Sequence, residues 1–139
     1  MVNEFLVVTG SLCLIAALFE AWLLVIVISN PDVRLAKWIP GFQDVIKSHL
    51  DYLMMSLFLF IFYVLFNQFQ IKPAAFIIAC MCLGSFGNAF LFLVRAMKPS
   101  LKEEITVSFR LGMLISCLLT TIGYFSGAWL VARSAFALI

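Results

Sequence analysis

The stretch FLVVTGSLCLIAALFEAWLLVIVIS, residues 5–29, decides the fold, because it is long and apolar and contains a single charged residue, Glu20. A helix needs about 20 apolar residues to cross the hydrocarbon core of a bilayer. The Asn30-Pro31-Asp32 sequence that follows is a helix-ending signal. The residues before the stretch, Met1 to Glu4, form no basic n-region, and the stretch is too long for a signal-peptide core. We therefore expect a retained transmembrane helix.

Three further apolar segments predict helices over about 49–68, 73–97 and 107–131. The whole chain of 139 residues is 65% hydrophobic and 12% charged, whereas soluble domains carry about a quarter charged residues. This composition excludes an ordinary soluble domain. We predict one all-α domain, residues 1–139, that is an integral membrane four-helix bundle in a lipid bilayer.

Basic residues set the expected orientation of the chain. All but two of the nine Lys and Arg residues lie in or beside the loops 30–48 and 98–106, the exceptions being Lys72 and Arg133. The positive-inside rule then places both long loops in the cytoplasm and both termini outside, with Trp38 at the headgroup level. We expect a multi-pass protein of the bacterial inner (cell) membrane. Because the basic residues form no single stripe, we expect no nucleic-acid partner.

Glu20 and Asn88 are polar residues within the predicted spans. Glu20 lies about nine residues from the end of the first helix, roughly 13 Å at helical rise, and therefore near mid-membrane. Two interpretations stay open for Glu20: a proton carrier or a substrate or cofactor partner, and a protonated carboxyl that is hydrogen-bonded to a neighbouring helix. Asn88 shares a helix face with Gly84, and we favour an interhelical hydrogen bond over ligand binding for its amide.

Small residues line the fourth predicted helix, and they predict close helix contact rather than chemistry. These small residues are Gly112, Ser116, Thr120, Gly123 and Gly127, and Tyr124 lies among them.

His49 is the only histidine, and it opens the second predicted helix. At helical spacing Tyr52, Ser56, Tyr63 and Asn67 lie on or near its face. One interpretation is a metal-ligating histidine on a bundle helix. The other, which the residues alone favour, is an interfacial histidine in water.

Two motifs resemble a known family. The stretches Ser-Asn-Pro-Asp-Val-Arg (29–34) and Ser-His-Leu-Asp-Tyr-Leu-Met-Met-Ser-Leu (48–57) resemble the loop and second helix of the hydroxylaminobenzene mutases. That family has an Asn-Pro-Arg-type loop, then His-Leu-Glu and an apolar helix. The stretch Gly84 to Asn88 is similar to the third helix of the same group. Styrene oxide isomerase is similar in size, in helix count and in the placement of this histidine.

The resemblance implies a homotrimer that binds haem b at subunit interfaces, with His49 as the iron ligand. It implies an isomerase whose ferric haem acts as a Lewis acid on an epoxide oxygen of a small apolar substrate, without net redox change. By the same resemblance, the candidate catalytic groups are Asn88, Glu20 and Asp51, and the candidate cofactor-binding residues beside His49 are Tyr52, Met55 and Phe92.

The chain also departs from this family. Met55 stands where these enzymes carry an asparagine, and residues 74–96 contain no tyrosine, so that Phe92 holds the place of the family's third-helix tyrosine. Since the chain has one histidine, haem bound through His49 keeps an open coordination position, which favours substrate binding over electron transfer. Two alternatives remain: a small proton-coupled transporter that uses Glu20, and a non-catalytic membrane assembly subunit.

Overall fold

The computed structural model describes residues 2–30, 39–98 and 100–137, without the side chains of Lys102 and Glu103. Its four long helices are α1 (Glu4–Ser29), α2 (Phe42–Gln68), α3 (Ala75–Met97) and α4 (Val107–Phe136), and a single-turn helix, Ser100–Glu103, lies between α3 and α4. The described ranges contain no strand. All four long helices are long and apolar enough to cross a membrane. The predicted all-α fold with four spans is therefore confirmed.

The bounds of α1 and α3 lie within two residues of the predicted segments, but α2 begins at Phe42, seven residues before the predicted start. The apolar run marks only the part of a helix that meets hydrocarbon, and a helix continues into the headgroup region when its polar residues find partners there. Asp44 is such a residue, because it is in the first turn of α2 and pairs with Arg95 of α3. The last helix, α4, also runs five residues past the predicted end at Val131.

The predicted loop 30–48 is therefore shorter than expected. Its residues 31–38 lie outside the described residues, and so do the prediction of an interfacial Trp38 and most of the Asn30-Pro31-Asp32 signal.

The helices run up and down in sequence order, and successive helices make the main contacts. α1 packs mostly on α2 and to a lesser extent on α3, whereas α4 packs mostly on α3. The bundle thus has α2 and α3 at its centre. We call its two ends the Gly41 end, where α2 and α4 begin, and the Lys72 end, where α2 turns into α3.

Two glycines allow the closest approach between helices, and both lie between α3 and α4. A Cβ atom on Gly84 would lie 2.5 Å from the backbone nitrogen of Thr120, and one on Gly123 would lie 2.6 Å from that of Met81. Real Cβ atoms essentially never come so close to backbone. Gly123 is one of the small residues predicted to mediate helix contact, and Gly84 does the same on the facing helix.

The outer surface of the bundle is apolar. Large side chains such as Trp22, Leu83 and Phe125 are each more than 60% exposed. Water-soluble bundles bury such a surface, whereas a bilayer solvates it. The exposed apolar surface therefore agrees with the lipid environment that the composition predicts.

Candidate functional site

Polar side chains from α1, α2 and α3 meet inside the bundle, nearer its Gly41 end. We call Glu20, Ser48, Asp51 and Asn88 the polar layer. Ser48 and Glu20 are almost fully buried, with 0% and 2% of their surfaces exposed. The Ser48 hydroxyl oxygen lies 2.7 Å from Oε1 of Glu20 and 2.9 Å from the carbonyl oxygen of Ala89. This serine therefore joins three helices at one point.

The second half of the polar layer is a hydrogen bond between α2 and α3. The Asn88 amide donates from Nδ2 to Oδ2 of Asp51 over 2.8 Å, and both side chains are half-buried. The Cys117 thiol of α4 lies 3.9 Å from the other amide atom, Oδ1. The interhelical role favoured for Asn88 is confirmed, and its partner is one of the other candidate residues.

His49 lies in the second turn of α2 rather than at the beginning of the helix, and its ring is half-buried. Its Nδ1 atom lies 2.9 Å from the carbonyl oxygen of Ala17 on α1. A carbonyl only accepts, so the ring carries its proton on Nδ1 and donates to Ala17. In the neutral ring, the other nitrogen, Nε2, then carries the lone pair. This is the state in which a histidine can ligate a metal.

The candidate residues are divided between two sides of α2. His49 contacts α1, whereas Asp51 contacts α3. Two positions along a helix are about 200° apart, so these side chains leave α2 in nearly opposite directions. Glu20 lies one turn from Ala17 on α1, and its partner Ser48 is next to His49. The structure thus brings Glu20 close to the His49 side of α2 and pairs Asp51 with Asn88 on the other.

Three candidates remain: Tyr52, Met55 and Phe92. Tyr52 is buried, and its ring meets Phe86 of α3 edge-on at 5.6 Å between ring centroids. Met55 lines an open groove between α2 and α4. Phe92 lies on α3 with the Arg95 guanidinium 5.2 Å from its ring centroid. In the described part of the chain, Met55 and Phe92 therefore lie away from the α1 side of α2, which His49 contacts.

A small cavity lies between α3 and α4 and has a volume of about 130 Å³. Cavities near this size accommodate a molecule as large as benzene. Its walls are mainly apolar, with the Asn88 amide and the Arg95 guanidinium as polar groups, and the full lining is Asn88, Leu91, Phe92, Arg95, Phe109, Met113 and Cys117. The cavity thus adjoins the Asp51–Asn88 half of the polar layer.

Asp44, Ser48 and Arg95 belong to this region but were not candidates from sequence. Asp44 is buried and pairs with Arg95 at 2.8 Å and with Lys47 at 3.7 Å. Ser48, one turn further along α2, makes the contacts described above. The sequence contains a signal for Asp44 and Ser48. Together with Asp51 they recur at three- and four-residue spacing, which marks one polar face of a helix.

No three His, Cys, Asp or Glu side chains come together as a metal site in the part of the chain that the structure describes. The described residues therefore supply no ligand set for a bare metal ion.

No family model, no curated protein and no solved structure matches the chain.

Proposed function

We propose that this protein is a membrane-embedded haem b-binding protein of the epoxide isomerase and mutase type, with His49 as the iron ligand. The observation that carries the proposal is the hydrogen bond from Nδ1 of His49 to the Ala17 carbonyl. Ligating histidines commonly donate their second nitrogen to a backbone carbonyl, which fixes the tautomer and the ring orientation. His49 has this arrangement, with Nε2 left for a metal.

The ligand set of the chain suits haem better than a bare ion. A porphyrin would bring four nitrogen ligands of its own, so that His49 alone could complete the attachment of the iron to the protein. Leu18 follows Ala17 in the chain, and Leu50 follows His49. Both leucine side chains are 55% exposed. A macrocycle bound through His49 would therefore meet apolar side chains and lipid, which match its own surface.

When bound, the iron would supply a Lewis acid with one coordination position open for a substrate oxygen. The chain has one histidine, which is why a second histidine ligand from the same subunit is excluded. The polar groups that could orient a small apolar substrate are the Asp51 carboxyl and the Asn88 amide, which hold each other in place.

A trimer would bring together candidate residues that lie on opposite sides of α2 within one subunit. His49 and the Asp51–Asn88 pair lie on opposite sides of α2, so one subunit cannot present both to one ligand. In a cyclic trimer each interface joins two different surfaces. We propose that the His49 side of one subunit meets the Asn88 side of the next, and that haem lies between them.

For the orientation we propose a cytoplasmic Gly41 end in a bacterial inner membrane. Basic side chains that support this orientation gather at that end, where α2 and α4 begin and α3 ends: Lys47, Arg95, Lys98 and Arg110. The positive-inside rule places such an end in the cytoplasm.

An absorption spectrum tests the proposal. The purified protein, expressed with added haem precursor, should show a Soret band that is lost in His49→Gly. Imidazole added to that variant should restore the band, because it can occupy the space of the missing ring. This rescue distinguishes the loss of a ligand from the loss of the fold. Asn67→Ala, an exposed polar position on α2, serves as the control and should keep the band. A colourless wild-type protein after haem supplementation would overturn the proposal.

A further inference from the structure

We infer that Glu20 holds a proton and that, through Ser48, it positions His49 against α1. The part of this inference that concerns haem rests on the function proposed above, whereas the protonation of Glu20 does not. Glu20 would position His49 indirectly, because its carboxyl contacts Ser48 rather than the histidine.

Ser48 has fewer protons than its two close contacts require from an ionised Glu20. Its oxygen lies at hydrogen-bond distance from both the Ala89 carbonyl and the Glu20 carboxyl. A serine hydroxyl has one proton to donate, and a backbone carbonyl can only accept. Both contacts are full hydrogen bonds when Ser48 donates to Ala89 and a protonated Glu20 donates to Ser48. With an ionised Glu20, two acceptors would compete for the same proton.

The other carboxyl oxygen of Glu20 also favours a protonated group. Oε2 of Glu20 is buried and has no hydrogen-bond partner among the described residues. The ion pairs of the described side chains join Asp44 to Lys47 and Arg95, and none involves Glu20. An ionised carboxylate here would have a buried, charged oxygen without a hydrogen-bond donor or a cation among the described residues, which is costly. A neutral carboxyl avoids that cost.

The connection to His49 is geometric. Ala17 and Glu20 are one turn apart on α1, and they contact the adjacent residues His49 and Ser48 of α2. The two contacts fix the position of α1 against α2 at the same level. The distance from Nδ1 of His49 to the Ala17 carbonyl therefore depends on the Glu20–Ser48 contact beside it, and so does the direction of Nε2.

Infrared spectroscopy of the haem-free protein tests the protonation. At neutral pH the wild type should show the C=O stretching band of a protonated carboxyl, and this band should be absent in Glu20→Gln. In Ser48→Ala it should move to higher wavenumber, because the carboxyl loses its hydrogen-bond partner. Asp51→Asn, which alters the other carboxyl of the polar layer, should keep the band. A wild-type spectrum from which Glu20→Gln removes no such band would overturn the inference.

Haem titration tests the positioning. Gln at position 20 can still donate to Ser48, so Glu20→Gln should keep the haem affinity and the axial-ligand signature in electron paramagnetic resonance. Glu20→Leu is similar in volume but has no donor, and it should weaken haem binding about tenfold, which is typical when a partner behind a metal-ligating histidine is lost. Unchanged affinity in a folded Glu20→Leu protein would overturn the positioning role. A wild type that binds no haem would overturn the proposed function, and the infrared result would still decide whether Glu20 is protonated.

Discussion

At the scale of single residues, the hydrogen bond from Asn88 to Asp51 is the clearest test of the polar layer. Side-chain hydrogen bonds between membrane helices contribute about 1 kcal/mol. We expect Asn88→Ala and Asp51→Ala each to lower the unfolding free energy by about that amount, and the double variant to lose less than their sum. Unfolding by SDS in mixed micelles, followed by circular dichroism, measures the unfolding free energy of each variant. Asn67→Ala, on an exposed part of α2, should have little effect, and strictly additive losses would contradict the contact.

At the scale of helices, the packing of α3 on α4 depends on two positions without side chains. Gly84→Ala and Gly123→Ala would each place a methyl group against backbone, at 2.5 Å from Thr120 and 2.6 Å from Met81. Overpacking of this kind costs about 1–3 kcal/mol, and we expect both variants to unfold at lower SDS fraction. Gly112→Ala is the matched control, because its nearest neighbour would be Leu91 at an ordinary 3.7 Å. Equal stability of all three variants would show that α3 and α4 are further apart than described.

At the scale of the whole molecule, the proposed trimer predicts complementation between two defective subunits. His49→Ala and Asn88→Ala homotrimers should each fail to isomerise styrene oxide, used here as a probe epoxide. Co-expressed in equal amounts, they should recover about a quarter of the wild-type sites, since a site needs an intact His49 side and an intact Asn88 side from neighbouring subunits. Mixed protein that is no more active than either variant alone would show that the site does not lie between subunits.

Some features of the fold and of the candidate site can be predicted from the sequence, and others cannot. Four spans follow from apolar runs, because the bilayer fixes how long such a run must be. The interhelical role of Asn88 follows from its residue type, since an amide in lipid needs a partner. The start of α2 at Phe42 does not follow, because it depends on an ion pair between Asp44 and Arg95. The partner of His49 is a backbone carbonyl, which every residue has, so that no sequence signal could have identified it.

The pair of Asp44 and Arg95 also bears on how the protein enters the membrane. The two residues are 51 positions apart, at the start of α2 and near the end of α3. During synthesis α2, which carries both Asp44 and its partner Lys47, therefore leaves the ribosome before Arg95 exists. Asp44 gains Arg95, the closer of its two described basic partners, only after α3 has been made, and a buried carboxylate is stabilised by such a pair. The two central helices should thus integrate as a hairpin, and a nascent chain truncated before Arg95 should leave the first turns of α2 accessible to water-soluble reagents.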